Sequence, residues 1–296
     1  MIRANRGTNR LMDYKAYIRL MRPKHYLKNG LIFLPLVFGG FLFEQDYLIR
    51  SVYSFIAFSL VASAVYIIND IKDKDLDRLH HKKQLRPIAS GKISIPAAVV
   101  FALALLGLAA GFQYLASFTL TSVGLLLLYI AINILYSFGM KNIPIIDVTI
   151  LSLGFVIRVL YGGSSVGIEV SKWLYLAILA GSFYLGLGKR RNEIRFNGTE
   201  TRKVNKHYTQ EFLDKNMYVC LGLTIVYYSL WAIDPVQEHK LMFWTIPVVI
   251  AIVMAYSLAV EGSGSDGDPV NVVLSSKSLL ALIALYGLLV TWLVYI

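Results

Sequence analysis

The sequence predicts an all-α, polytopic membrane protein, a single domain over residues 1–296 with its chemistry on the cytoplasmic face. Three observations predict it. The 296 residues are 56% hydrophobic and only 16% charged, with a mean hydropathy of +0.59, too little charge to solvate a globular surface of this size. Apolar runs of the length needed to cross a bilayer, about 20 residues, recur along the whole chain. The polar residues that remain gather in a few connecting loops, with the basic ones almost all on one side.

Nine spans are expected, at 30–43, 47–68, 95–111, 115–138, 143–161, 172–188, 217–233, 241–260 and 278–296. The first is short and contains Pro35, so a tilted or broken segment is expected there. Before it, "DYKAYIRLMRP" reads as an amphipathic helix lying at the membrane interface. The basic N-terminal stretch reaches no apolar core until Leu31 and shows no small-residue cleavage site, so no removed signal peptide is expected. Cys220 is the one cysteine and lies in an apolar run, which excludes an internal disulfide and suggests no thiolate metal site.

With the N-terminus cytoplasmic, segments 1–29, 69–94, 139–142, 189–216 and 261–277 carry 8, 7, 1, 8 and 1 Lys or Arg, or 25 of 29. Arg50, Lys172 and Lys240 fall on the opposite side, and Arg158 lies within a span. This is the positive-inside pattern of a plasma-membrane or inner-membrane protein. The formal charge of +11 therefore reports orientation and affinity for anionic lipid or phosphate, and no nucleic-acid partner is expected.

The extracytoplasmic loops are short and hold no cluster of catalytic residue types. The cytoplasmic loops 69–94 and 189–216 stand out as the candidate active-site loops. The first, "NDIKDKDLDRLHHKKQLRPIASGKIS", holds four aspartates and seven Lys or Arg. If the second span continues helically past Ile68, Asn69, Asp70, Asp73 and Asp77 fall within roughly 100° of arc and share one face, while Asp75 points away. Three carboxylates and an amide on one face repel unless a cation sits among them. Oxygen donors suit a hard ion such as Mg²⁺, with Mn²⁺ as the alternative, completed by substrate phosphate oxygens. A solvated charged loop is the competing reading.

The second half of this loop is basic. Arg86 precedes Pro87 and is expected to be extended, and Gly91 allows a turn into the third span. Lys82, Lys83, Arg86 and Lys92 beside a carboxylate-held Mg²⁺ would grip a pyrophosphate from both sides. His80 and His81 find no matching His or Cys partner and read as interfacial polar residues. In the second loop Lys189, Arg190 and Arg191 emerge from the sixth span, with Lys189 and Glu193 on one face at i, i+4. A stop-transfer anchor would carry the same cluster. Within the spans, Asp147 near the cytoplasmic end is a candidate to line the site, as are Tyr129, Asn133 and Tyr136. Arg158 lies ~16 Å from Asp147 along the same helix, and structural pairing with another span is the alternative for both charges.

"NDIKDKDLDR" fits the N-D-x-x-D-x-x-x-D motif, and with nine expected spans the chain resembles the UbiA-type intramembrane transferases. "MRPKHYLKN", "NDIKDKDLDRLHHKKQLRPIASG", "LGKRRNE" and "GDP" at 267–269 resemble, more narrowly, the decaprenyl-phosphate phosphoribosyltransferase branch. Relatives that prenylate aromatic acceptors carry a second Asp-rich motif after the sixth span, where this chain reads "KRRNEIRFNG". Ser275 and Ser276 also stand where many relatives have an acidic residue.

The resemblance implies a UbiA-like helical bundle. It implies Mg²⁺-dependent transfer of a 5-phosphoribosyl group from phosphoribosyl pyrophosphate to a polyprenyl phosphate, in the synthesis of an arabinose-donor lipid for the cell wall. It implies Asn69, Asp73 and Asp77 as the catalytic groups, with Asp70 beside them on the metal. Lys28, Lys83, Arg86, Tyr136, Asp147, Lys189 and Arg190 would bind the substrates. The expected partners are phosphoribosyl pyrophosphate, polyprenyl phosphate and membrane lipid, with self-association left open. A prenyltransferase acting on a prenyl diphosphate is the alternative within the superfamily. A secondary transporter is the alternative outside it, disfavoured because the charges gather on one face rather than at the midplane and no inverted repeat is visible.

Overall fold

The computed structural model describes residues 13–81, 83–198, 202–234, 241–262 and 267–296. Of the residues expected to grip phosphate, only Lys82 lies outside that set. Among the described residues there are twelve α-helices, joined by turns and short 3₁₀ segments, and no strand.

Helix α1 (Tyr14–Met21) is capped by Asp13, whose carboxylate accepts from the Ala16 amide. Its inner face buries Ala16 and Leu20 against α3 (Gln45–Lys72) and α5 (Ile95–Ala116), while Tyr14 and Ile18 remain exposed on the other. The helix has the amphipathic faces the sequence predicts. Arg22 ends it in the left-handed region (φ 57°, ψ 57°), and the following Pro23 disfavours right-handed helical continuation at that residue.

The first expected span is broken. It forms a 3₁₀ segment, Pro23–Phe33, and then the five-residue α2 (Leu34–Phe38), with Pro35 in its first turn. This segment lies against α7 (Ile146–Val166), where Gly162 has no side chain to hold the two apart. A Cβ there would stand 2.1 Å from the Ile32 carbonyl oxygen.

The remaining spans follow the expected order with shifted ends. Helix α3 (Gln45–Lys72) is followed by a six-residue α4 (Lys74–Leu79). Helix α5 (Ile95–Ala116) runs on through most of the residues read as a loop, leaving a short turn before α6 (Leu120–Ser137). Helix α8 (Lys172–Asn197) extends beyond the expected span and carries the Lys-Arg cluster on helical backbone. Helix α9 (Gln210–Ala232) begins earlier than expected and runs back beside it. Helices α10 (Ile246–Glu261), α11 (Pro269–Ser275) and α12 (Lys277–Tyr295) complete the bundle.

Six helical stretches among the described residues are long and apolar enough to cross a membrane: Gln45–Lys72, Ile95–Ala116, Leu120–Ser137, Ile146–Val166, Met242–Glu261 and Lys277–Tyr295. Helices α8 and α9 have the length but mix polar residues into it, and the first segment is broken. These are the three expected spans that fall outside the six.

Packing divides into two halves. Phe58, Val61 and Val65 of α3 meet Leu126, Tyr129, Ile157 and Tyr161 of α6 and α7 in one core. Tyr184 and Leu187 of α8 meet Met217, Tyr256, Val260 and Leu279 in the other. Helix α7 contributes to both cores, through Ile157 and Val148. The helix ends that carry the charged motifs, those of α3 and α8, thus lie on either side of it.

Candidate active site

The acidic motif does not form one stacked face. Helix α3 stops at Lys72, and Asp73 (φ −91°, ψ 5°) is both its last cap and the start of α4. The break sorts the four expected ligands into two pairs. Asn69 and Asp73 turn towards the α6–α7 connection. The Ser137 hydroxyl donates to Asn69 Oδ1 at 3.0 Å, and Lys141 Nζ reaches both Asp73 oxygens at 2.8 and 3.0 Å. Asp70 and Asp77 turn towards Arg86, whose Nη1 lies 3.0 Å from Asp70 Oδ1 and 2.6 Å from Asp77 Oδ2. Arg22 closes on Asp70 from the other side at 2.5 Å. Asp75 points outward as its angular position predicts, with its side chain 91% exposed.

Among the described residues, no three His, Cys, Asp or Glu side chains gather into a ready ligand set, because each motif carboxylate already holds a cationic side chain. The donor chemistry nevertheless fits a hard divalent ion. Two buried carboxylates meet at a single positive nitrogen, which is how two oxygen donors share a cation. Asp70 and Asp77 would hold a magnesium ion there with phosphate oxygens filling the rest, whereas Asn69 and Asp73, expected as ligands of the same ion, face the α6–α7 side and would join only on releasing Ser137 and Lys141.

The basic side of the site is wider than the sequence predicts. Lys28 Nζ and Lys189 Nζ converge on Asp268 Oδ2, at 3.0 and 3.4 Å. Asp268 caps α11 by accepting from the Val270 amide. It is seated by Gly267 (φ 69°), where a Cβ would stand 2.9 Å from the Lys189 Cα. Burial opposes its ionisation, but Lys28 and Lys189 hold the Asp268 carboxyl down at about 2. Through Asp268 the "GDP" triplet therefore joins the candidate site. An aspartate followed by proline is a helix-start signal that could have marked it.

His25 packs at a tilt against Tyr66, with ring centroids 5.5 Å apart, and its Nδ1 is buried without a hydrogen-bond partner. Burial first, then Lys28, Arg22 and Lys189, outweigh the opposing Asp268 and lower its imidazole to about 4. Lys83 has Arg202 and Arg86 nearby on one hand and Asp77 and Asp73 on the other. Burial and the two arginines together lower its ammonium from the usual range. Lys83 thus stands by the carboxylates as expected. Gly91 makes the expected turn at φ 76°.

Two expected substrate contacts are corrected. Arg190 is fully buried, donating from Nε to Asp147 Oδ2 at 2.6 Å, from Nη1 to Glu193 Oε2 at 2.6 Å and from Nη2 to the Tyr136 hydroxyl at 3.1 Å. Asp147 is equally buried and also accepts from the Tyr208 hydroxyl at 2.6 Å. Neither group has a face left for a phosphate, because a buried charge must be saturated by partners. Tyr136 keeps partial exposure and also accepts from Arg202 at 3.3 Å. Glu193 pairs with Arg190 and Arg202 rather than with Lys189 at i, i+4. Arg158 is buried deeper in α7, donating to Asn29, Gly154 and Tyr129 amid the rings of Phe58, Tyr129 and Phe155. Through Asn29 it steadies the segment that presents Lys28.

The sequence model of the UbiA prenyltransferase family matches residues 32–268. The chain is 33% identical over 290 residues to a decaprenyl-phosphate phosphoribosyltransferase from Corynebacterium glutamicum, covering 94% of this chain and 86% of that one. It is 33% identical over 282 residues to the enzyme of the same name from Mycolicibacterium smegmatis, covering 88% and 87%. Its fold is similar to a UbiA homologue from Archaeoglobus fulgidus bound to GPP and Mg²⁺, with a TM-score of 0.71, 23% identity and coverage of 93% and 99%. On the reach of these matches and the shared fold, the chain belongs to the UbiA prenyltransferase family.

Proposed function

We propose that this protein transfers a 5-phosphoribosyl group from phosphoribosyl pyrophosphate to a polyprenyl phosphate, releasing pyrophosphate. The observation that carries the proposal is the inversion of charge across the site. At the end of α8, where relatives that prenylate aromatic acceptors have a second acidic motif, stands Lys189, joined by Lys28 at Asp268. A second acidic cluster suits a second metal on a prenyl diphosphate, whereas a pair of lysines suits an anionic acceptor.

The acceptor phosphate is already a nucleophilic anion, so the reaction requires no strong general base. Lys28 and Lys189 hold and orient it, while its polyprenyl chain stays in the bilayer. Arg86 and Lys83 take the leaving pyrophosphate and stabilise the charge that collects on it as the ribose C1 bond breaks. Magnesium, when bound, supplies further charge neutralisation at that leaving group. Arg190, saturated by Asp147 and Glu193, positions Lys189 one residue before it. The one-sided distribution of Lys and Arg supports nine crossings with a cytoplasmic site.

Purified protein given labelled phosphoribosyl pyrophosphate and polyprenyl phosphate should yield a phosphoribosylated lipid and pyrophosphate. It should be inactive with a prenyl diphosphate and 4-hydroxybenzoate. The reverse substrate pattern would make it a prenyltransferase with an unusually basic anchor.

A further inference from the structure

Between α1 and the Lys83–Lys92 stretch lies a cavity of about 350 Å³ whose polar lining is Arg19, Arg22, His25, Asp70 and Arg86. A smaller cavity of about 140 Å³ also borders on Arg19 and adds Lys15 and Lys92. Three guanidinium groups face one carboxylate in the larger cavity. Arg22 and Arg86 both pair with Asp70. Arg19 is exposed, and its side chain makes no hydrogen bond or ion pair among the described residues. His25 presents a buried ring nitrogen without a partner.

This cavity is on the Asp70 side of the α3 terminus, whereas Asn69 and Asp73 engage Ser137 and Lys141 on the α6–α7 side. Asp70 and Arg86 belong to both the cavity lining and the expected pyrophosphate grip, so the two are contiguous. The volume is at the lower end of the range for small-molecule sites, roughly 300–1,000 Å³. It is an open groove rather than an enclosed cavity. Planar guanidinium forks match the oxygens of a terminal phosphate.

We propose that this cavity is a phosphate-monoester site that takes the 5-phosphate of the ribosyl donor, with Arg19 as its specificity-determining residue. The proposal rests on the phosphoribosyl-transfer reading and adds a physical basis for donor choice. A prenyl diphosphate has a pyrophosphate but nothing to place among Arg19, Arg22 and His25. A phosphate monoester on an anionic lipid headgroup offers the same chemistry to a groove bordered by the amphipathic α1, and the experiment separates the two sources.

The test compares wild type with Arg19→Gln, using ribose 5-phosphate and inorganic pyrophosphate as separate inhibitors and ribose 5-phosphate as a calorimetric titrant. Loss of one charge-assisted phosphate contact should raise the KM for the donor and the Ki of ribose 5-phosphate about ten- to a hundredfold. The Ki of magnesium pyrophosphate should stay at the wild-type value, and Arg19→Lys should restore part of the loss. Calorimetry keeps the two readings apart. Arg19-dependent binding of ribose 5-phosphate by protein that turns over no donor would uphold the site and overturn the reaction. Turnover with an unchanged KM in Arg19→Gln would uphold the reaction and overturn the site. In nanodiscs with and without anionic lipid, a variant that loses only its response to that lipid would assign the cavity to a headgroup and overturn the donor assignment. Failure of wild type to bind ribose 5-phosphate would overturn it as well.

Discussion

The two charged helix ends of this protein, that of α3 and that of α8, resemble each other in sequence as dense polar clusters leaving a span. In the structure they are opposites. At the end of α3, Asp70, Asp73 and Asp77 are each held by a long cation whose side chain is still 20–26% exposed: Arg22, Arg86 or Lys141. These partners reach in from other segments and can be exchanged for a ligand. At the end of α8, Arg190 and Asp147 form a pair with both side chains 0% exposed, locked further by Glu193, Tyr136 and Tyr208. A charge whose partners remain reachable is available for chemistry, while one that is saturated and enclosed belongs to the scaffold.

The largest effect expected from this comparison is on the locked side. Breaking a buried ion pair by removing one partner typically costs about 3–5 kcal/mol. Arg190→Gln and Asp147→Asn should therefore lower the thermal midpoint sharply in detergent, and each should reduce folded yield. A variant of either residue that melts like wild type and loses only substrate affinity would erase the distinction between the two ends.

Next in size is the loss of turnover at the exchangeable end. Asp77→Asn and Asp73→Asn should each abolish most activity with little change in melting, and Asp75→Asn should be mild because its side chain points outward. Equal losses at all three positions would mean that the loop acts only through its total charge. Lys189→Gln should be milder still, weakening apparent affinity for the acceptor about ten- to a hundredfold, the value of a charge-assisted hydrogen bond to phosphate. Unlike Arg190→Gln, it should leave the fold intact.

The smallest effect is on pH dependence. His25 titrates at about 4 in the folded protein against 6.5 for the free side chain, so the unfolded chain binds more protons between those values. Its contribution to stability is complete above pH 6.5 and falls as pH drops towards 4. Replacing His25 with Gln should flatten the thermal midpoint over that window. Asp268, held at about 2 against 3.8 for the free side chain, stays ionised in the folded protein and adds a slope of the same sign only at the acid end of that window, where the unfolded chain begins to protonate.

Much of this architecture was legible in the sequence, for local reasons. Hydropathy marks the spans, Pro35 marks the broken first segment, and the 100° step of a helix places Asp75 outward. The sorting of Asn69 and Asp73 away from Asp70 and Asp77 was not legible. It depends on a helix break at Asp73 that only the partners Lys141 and Arg86 make worthwhile. Arg190 reads as an exposed anchor because "KRR" at a span end usually is one. Its burial follows from Asp147, 43 residues earlier, coming to meet it. Lys28 and Asp268 are 240 residues apart and announce their pairing in neither local pattern. Contacts made by tertiary closure leave no periodic signal, and most of the basic side of the site is of that kind.

In the proposed mechanism the α3 carboxylates release their Arg and Lys partners to hold a magnesium-bound pyrophosphate. Calorimetric titration of pyrophosphate into the purified protein, with and without Mg²⁺, tests it most directly when wild type, Asp77→Asn and Lys189→Gln are run side by side. Mg²⁺-dependent binding is expected in wild type and in Lys189→Gln, and its loss in Asp77→Asn at an unchanged melting temperature. Mg²⁺-dependent binding of wild-type strength in Asp77→Asn would contradict it.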